Sequence, residues 1–273
     1  MQYKKIENDR PVRLAILGCG AVAVKHTRTL RRFPGVERYY ASRSGERAKS
    51  YFEKYKGSGY FTSYNEAIND ENINTVLIAT PPDSHLALTL QAVQAGKHVI
   101  VEKPPFLKSA DFDRVDMERK KTGVQVMVAE NYFYKPLLKK LREILAAGYI
   151  GDIKFIFINA TKKQQQEDWR NDPEKAGGGA LFEGGIHWIN FIANMGFKIK
   201  NITGFAPKIP AGRLERSMQV VAEYEEGMVA TLLYSWEIDA LFKGLRICRI
   251  YGTKGSITFE ANGVFIFIRG KKW

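Results

Sequence analysis

The strongest constraint on this chain is an apolar strand that runs straight into a glycine-spaced loop. Val12–Leu17 reads VRLAIL, apolar apart from Arg13. Gly18-Cys19-Gly20-Ala21-Val22-Ala23 follows with no spacer. A helical stretch then continues to Phe33, where Pro34-Gly35 stops it. Each small residue of the turn has its own task. Gly18 permits the tight turn, Gly20 lets backbone approach a pyrophosphate, and Ala23 lets the helix pack on the strand. The helix N-terminus at Ala21 and Val22 offers free N–H groups and a partial positive charge to phosphates. Strand, G-x-G-x-x-A, then helix is the dinucleotide-binding arrangement, and here it opens a β-α-β unit.

The rhythm continues beyond the loop. Residues 36–42, 75–79, 98–101 and 124–129 read as strands, and 45–55, 84–95 and 109–121 as helices, with Ser84 as an N-cap. Alternation at this spacing predicts parallel strands with right-handed crossovers. After about Gly148 the pattern changes. Strands are expected over 153–159, 218–224, 228–236, 245–251, 256–260 and 264–269, interrupted by one helix over 179–194. Glu225-Glu226-Gly227 is a hairpin signal. The expected class is α/β: a Rossmann doubly wound parallel sheet over 1–130, then an α+β domain over 131–273 with a mostly antiparallel sheet. The helix 136–147 belongs to the junction.

The end of the second strand bears on the cofactor. An NAD site normally places Asp or Glu there for the ribose 2′-OH. This chain has Ser42-Arg43-Ser44, a hydroxyl and a guanidinium that suit a 2′-phosphate. NADP is therefore expected, with NAD possible. The other reading is that Arg43 stacks on adenine or points to solvent.

Composition narrows the partners. The 273 residues carry 42 Lys+Arg and 29 Asp+Glu, a net charge of +13. Residues 1–50 hold 12 of the basic and 4 of the acidic residues, so over half of the excess overlaps the phosphate loop. No zinc-finger spacing and no RNA-binding aromatic signature accompanies it, so nucleic acid is not expected as a partner. No apolar run approaches the roughly 20 residues of a membrane span, and the N-terminus lacks a signal-peptide core. Cys19 and Cys248 lack the spacing of a metal site or a disulfide scaffold. A cytoplasmic protein with two reduced thiols and no metal is expected.

Five motifs stand in order. They are the glycine loop; Ala79-Thr80-Pro81-Pro82 with His85; Glu102-Lys103-Pro104; Asn131-Tyr132-Phe133 with Pro136; and Trp169-Arg170 before Gly177-Gly178-Gly179-Ala180-Leu181, which leads to Glu183-Gly184-Gly185-Ile186-His187. Order and spacing resemble the glucose–fructose oxidoreductase / inositol dehydrogenase / MocA (Gfo/Idh/MocA) family over residues 11–260. The resemblance implies a Rossmann domain and a second domain with a large open sheet, often an oligomer interface. It implies hydride transfer to or from a sugar, a cyclitol or a related small molecule. It places Lys103 beside nicotinamide and substrate, and His187 and Glu183 in the acid–histidine element. Thr80, Pro81, His85, Glu102, Asn131, Trp169 and Arg170 join Gly18, Gly20, Ala21, Val22, Ala23, Ser42 and Arg43 as residues expected around the cofactor.

The chemistry of these side chains agrees. Hydride removal from a carbinol carbon requires the hydroxyl proton to leave, and a histidine such as His187 can carry it. Lys103 can polarise the oxygen or stabilise developing charge. Glu183 lies four residues before His187, on the same face if the helix has begun, where it could orient the imidazole or hold a substrate hydroxyl. His26 reads as a packing or solvated histidine; Tyr132, Trp169 and Arg170 could line the pocket, with aromatic burial the simpler reading of the first two.

Three departures stand out. Glu183 replaces the usual Asp, Asn131-Tyr132-Phe133-Tyr134 lacks the arginine of the commoner Asn-x-Arg-x form, and relatives usually continue for several tens of residues beyond Trp273. Two other functions stay open on sequence: a glycosidase or lyase of the same family using tightly held NAD, and a non-catalytic nucleotide-binding regulator.

Overall fold

A computed structural model describes residues 11–164, 176–239 and 244–270. The chain divides into two compact units, Met1–Ala129 and Glu130–Trp273.

The first unit is a six-stranded sheet in the order β3-β2-β1-β4-β5-β6. Its strands are β1 (Val12–Leu17), β2 (Val36–Ala41), β3 (Gly59–Phe61), β4 (Thr75–Ile78), β5 (His98–Val101) and β6 (Val126–Val128). Every pairing is parallel. The helices are α1 (Ala21–Leu30), α2 (Gly45–Tyr55), α3 (Tyr64–Asn69), α4 (His85–Gln94) and α5 (Ala110–Thr122). Apart from Arg13, the β1 sequence is apolar because the sheet is covered on both faces. Ala15 and Leu17 pack with Val76, Ile78 and Val99 in one cluster, while Leu14 and Ile16 pack with Tyr40 and Leu77 in another. Full burial of one such Leu or Ile stabilises by about 1.5–3 kcal/mol.

Two elements here escape the sequence reading. β3 is only 3 residues long, and α3 only 6. Local caps define α3: the Ser63 hydroxyl accepts from the Glu66 N–H at 3.1 Å, and the Glu66 carboxylate accepts from the Thr62 N–H at 3.0 Å. The expectation that the Ser84 hydroxyl caps α4 is corrected. Ser84 stands at the right position, but its hydroxyl donates to the Pro81 carbonyl at 2.9 Å and lies 2.7 Å from the Thr80 hydroxyl.

The second unit is a seven-stranded sheet in the order β13-β12-β11-β7-β10-β9-β8. It comprises β7 (Ile153–Thr161), β8 (Ile199–Phe205), β9 (Ser217–Tyr224), β10 (Val229–Ser235), β11 (Ile247–Gly252), β12 (Gly255–Glu260) and β13 (Ile266–Arg269). All pairings are antiparallel except β7 with β10, which is parallel. Helices α6 (Pro136–Ala146) and α7 (Ile186–Ala193) share the core of one face, through Leu138, Leu141, Trp188 and Phe191 against Ile156, Ile158 and Ile250. Alternation sends Phe155, Tyr251 and Phe267 to the other face, where all three are exposed. β8 lies outside the expected strands: its residues are almost wholly exposed and show no alternation. The expected helix over 179–194 begins instead as a wide π-type turn, Leu181–Gly185.

Among the described residues no helix is long and apolar enough to cross a membrane. None of them forms a cluster of three or more His, Cys, Asp or Glu able to hold a metal. Cys19 and Cys248 are both free and buried, and burial pushes their thiols up, to about 11 and about 12.

Candidate active site

Register assembles the first group of residues. Leu17 lies opposite Ala41 and Ile78, and Ile78 opposite Val101. The next residues of β1, β2, β4 and β5 therefore emerge side by side: Gly18, Ser42, Ala79 and Glu102. Backbone bonds hold them there, from Gly18 N–H to Ala41 O (2.9 Å), Ala79 N–H to Leu17 O (2.8 Å) and Glu102 N–H to Ile78 O (3.0 Å). Strand order reverses between β1 and β4, and the carboxyl ends at such a switch point are where open α/β sheets bind ligands.

The two glycines of the loop do different work. Gly18 has φ +105°, and a Cβ there would stand 2.7 Å from the Ala79 carbonyl oxygen. At Gly20 a Cβ would meet nothing within 4 Å. Its smallness satisfies no neighbour among the described residues, which leaves a cradle open to a ligand. Ala23 is fully buried, packed with Leu14 and Ile16. α1 has no side-chain cap and no acidic residue in its first turn, so the N–H groups behind Ala21 and Val22 stay available to an anion. These features fit a dinucleotide pyrophosphate.

At the end of β2, Ser42 is buried and its hydroxyl accepts from the Ser44 N–H at 3.2 Å. The Ser44 hydroxyl caps α2 by accepting from the Arg47 N–H. Arg43 is exposed. Burial raises the Tyr64 phenol, and the Arg43 guanidinium opposes that shift. His85 is 1% exposed, with Nε2 2.8 Å from the Thr80 carbonyl and Nδ1 2.9 Å from the Pro104 carbonyl. It braces the loops after β4 and β5, tying Thr80 to the Glu102-Lys103-Pro104 segment. Burial lowers its pKa, and a neutral imidazole donates to only one of the two carbonyls.

His26 is no idle helix residue. Its Nε2 lies 2.5 Å from Glu102 Oε1, and Glu102 Oε2 accepts from the Lys103 N–H at 3.1 Å. Burial pushes the Glu102 carboxyl up, but the bond and charge of His26, with the Lys103 N–H, outweigh it and hold the group below its ordinary range. Lys103 itself is half-buried.

The second group lies in the other unit. His187 Nδ1 is 2.8 Å from both carboxylate oxygens of Glu130. Glu130 is 9% exposed and also accepts from the Tyr132 N–H at 2.8 Å. The Tyr132 ring stacks on the imidazole, with centroids 4.6 Å apart and planes 16° apart. Neighbouring Asn131 is exposed. The expectation that Glu183 orients His187 is corrected: the carboxylate on Nδ1 belongs to Glu130. Glu183 sits in the wide turn Leu181–Gly185, and its charge helps raise the Tyr234 phenol. Gly184 and Gly185 let this turn press on β10, since a Cβ at Gly184 would stand 2.2 Å from the Tyr234 hydroxyl. Gly179 likewise leaves room for Glu215, whose carboxylate accepts from the Leu181 N–H at 3.0 Å. Trp169 and Arg170 lie outside the described residues.

Comparison with known proteins agrees with this geometry. Residues 12–130 match the model of the GFO_IDH_MocA oxidoreductase family, NAD-binding Rossmann fold, and residues 138–258 match the GFO/IDH/MocA C-terminal domain. The chain belongs to the Gfo/Idh/MocA oxidoreductase family. Oxidoreductase P35 of Formosa agariphila is 29% identical over 90% of this chain and 78% of its own length. The trans-1,2-dihydrobenzene-1,2-diol dehydrogenase of Bos taurus is 28% identical over 89% and 72%. Among solved structures, the WlbA dehydrogenase of Chromobacterium violaceum, in complex with NADH and UDP-GlcNAcA, superposes with a TM-score of 0.86 at 19% identity, covering 97% of this chain and 79% of that one. This Gfo/Idh/MocA member is thus an NAD(P)-dependent dehydrogenase with the fold of its family.

Proposed function

We propose that the chain is an NADP-dependent oxidoreductase acting on a hydroxyl or carbonyl of a sugar, a cyclitol or a similar small polar molecule. The observation that carries this reading is the Glu130–His187 pair. A carboxylate accepts only from an N–H, so the neutral ring carries its proton on Nδ1 and leaves Nε2 as the basic nitrogen. Nε2 takes the hydroxyl proton as the carbinol carbon gives up its hydride, and returns it in the reverse direction. Lys103 holds the substrate oxygen and stabilises the charge that develops there. Glu183 offers a carboxylate to substrate hydroxyls. The nicotinamide supplies the hydride chemistry when bound. Gly18, Gly20, Ala21 and Val22 would hold its pyrophosphate, and Ser42 and Arg43 the 2′-phosphate.

The sugar nucleotide bound to WlbA supports the substrate class. The missing carboxylate over Ser42-Arg43-Ser44 supports NADP. The exposed face with Phe155, Tyr251 and Phe267 supports a homo-oligomer joined through the open sheet.

The test is a screen of sugars, cyclitols and keto acids with NADP and NAD, followed at the reduced-nicotinamide absorbance band. A net change in absorbance that is lost in Lys103→Ala and in His187→Gln is expected. Turnover without net change would point to transient oxidation, as in a glycosidase or lyase. Nucleotide binding with no turnover would point to a regulator.

A further inference from the structure

Lys135 occupies a position that helix stability does not explain. It stands at the N-cap of α6, directly before Pro136, and caps no N–H with its side chain. A cation at a helix N-terminus opposes the helix dipole. The residue is also half-buried, and Arg246 adds a second positive charge nearby; burial first, then Arg246, lowers the Lys135 ammonium below the ordinary lysine range, with the Glu260 carboxylate opposing. Its contacts lie elsewhere. Nζ sits 3.8 Å from the centroid of the Tyr132 ring and donates to the Ala261 carbonyl at 3.3 Å.

Tyr132 is the ring that stacks on His187. Its backbone N–H is bound to Glu130, and Glu130 is bound to His187 Nδ1. Glu130, Tyr132 and His187 thus form a closed circuit, and Trp188 meets Tyr132 edge-on at 5.2 Å. Among the described residues, the aromatic ring is the member of the circuit whose side chain makes no hydrogen bond. An ammonium over its face supplies the missing restraint.

Resting on the proton-transfer role given above to His187, we infer that Lys135 is a positioning residue: its ammonium clamps the Tyr132 ring, and the ring holds the His187 imidazole in the plane that keeps Nδ1 on Glu130. Lys135 touches neither substrate nor cofactor in this role. It acts through Tyr132, the nearer of the two rings it faces; the Trp188 centroid is 5.3 Å from Nζ.

The test uses the full chain with Lys135→Met, which keeps the stem and removes the charge, and Lys135→Arg, which keeps the charge. Kinetics give kcat and KM. The Nδ1–H proton resonance of His187, assigned by its loss in His187→Gln, gives the geometry without reference to turnover. For a group that orients another, a loss of about 10-fold in kcat is expected in Lys135→Met, with KM nearly unchanged. The resonance should shift or broaden in Lys135→Met, and Lys135→Arg should restore both. Tyr132→Leu should lower kcat comparably, and the double variant should be no worse than either single one. This cycle also serves if Lys135→Met folds poorly, since Tyr132→Leu alone must then disturb the resonance. An undisturbed His187 resonance in Lys135→Met would overturn the inference, as would a Lys135→Arg variant as impaired as Lys135→Met. A disturbed resonance with kcat unchanged would leave Lys135 as the positioning residue and instead remove His187 from the chemistry.

Discussion

Glu130 presents both carboxylate oxygens to the Nδ1 of His187, each at 2.8 Å. The arrangement sets which ring nitrogen carries the proton. Glu130→Gln keeps the size and removes the charge. Loss of such an orienting group should lower kcat about 10- to 100-fold with little change in cofactor affinity. Steady-state kinetics beside a nucleotide titration decide the matter; an unchanged kcat would remove Glu130 from the mechanism.

The two loop glycines should separate stability from binding. Gly18→Ala forces a side chain into a left-handed conformation and onto the Ala79 carbonyl. It should destabilise the fold by roughly 1–3 kcal/mol or more. Gly20→Val has open space on the protein side, so stability should stay within about 0.5 kcal/mol of wild type. Dinucleotide affinity should nevertheless fall at least about tenfold, since the new side chain stands where a phosphate must approach. Urea melts and fluorescence titrations read the two effects. Equal destabilisation by both substitutions would contradict the assignment of Gly20 to the ligand.

Acid should dissolve the link between His26 and Glu102. The folded fold holds the Glu102 carboxyl below its ordinary value. Its contribution is therefore complete above that ordinary value and is lost as pH falls through the lowered one. His26→Gln should destabilise the protein at pH 7 by about 1.5–3 kcal/mol, the range of hydrogen bonds to charged groups. Below the ordinary carboxylate range the difference from wild type should shrink. Urea melts at the two pH values measure it, and a gap independent of pH would sink the argument.

Cofactor choice turns on Arg43. Wild type should bind NADP more tightly than NAD, and Arg43→Ala should cost NADP about tenfold while leaving NAD nearly unchanged. Calorimetric titration of both nucleotides against both proteins checks this. A wild-type preference for NAD would refute the role given to Arg43.

The open face of the second sheet offers a test of association. Phe155 and Phe267 are 61% and 65% exposed on it, and apolar area of that kind marks a contact surface. Phe155→Lys with Phe267→Lys should convert an oligomer to monomer in sedimentation velocity without altering far-UV dichroism. A wild-type monomer at micromolar concentration would end this reading.

Much of the first unit was legible because its signals are local. A strand, a glycine pair and a helix start lie within 12 consecutive residues, Val12 to Ala23. The second unit yielded its strands wherever burial alternates, as in β9 and β10, and hid β8, where it does not. The pairings at the site were beyond reach for a different reason. Glu130 and His187 are 57 residues apart, and His26 and Glu102 are 76 apart. No spacing rule joins such pairs; only the folded sheets bring them together. Of the two roles open to Glu183, orienting the imidazole belongs to Glu130, which no spacing rule could pick out.

One parallel pairing, β7 with β10, interrupts an otherwise antiparallel sheet. Two neighbours that point the same way cannot be joined by a tight turn; the chain must travel back to its starting edge between them. That return journey contains α7 and therefore His187. His187 thus rides on the part of that excursion that precedes β8, between two strands pinned in the sheet. Insertions or replacements between β7 and β8 can alter the surroundings of His187 while every ladder of the sheet stays intact.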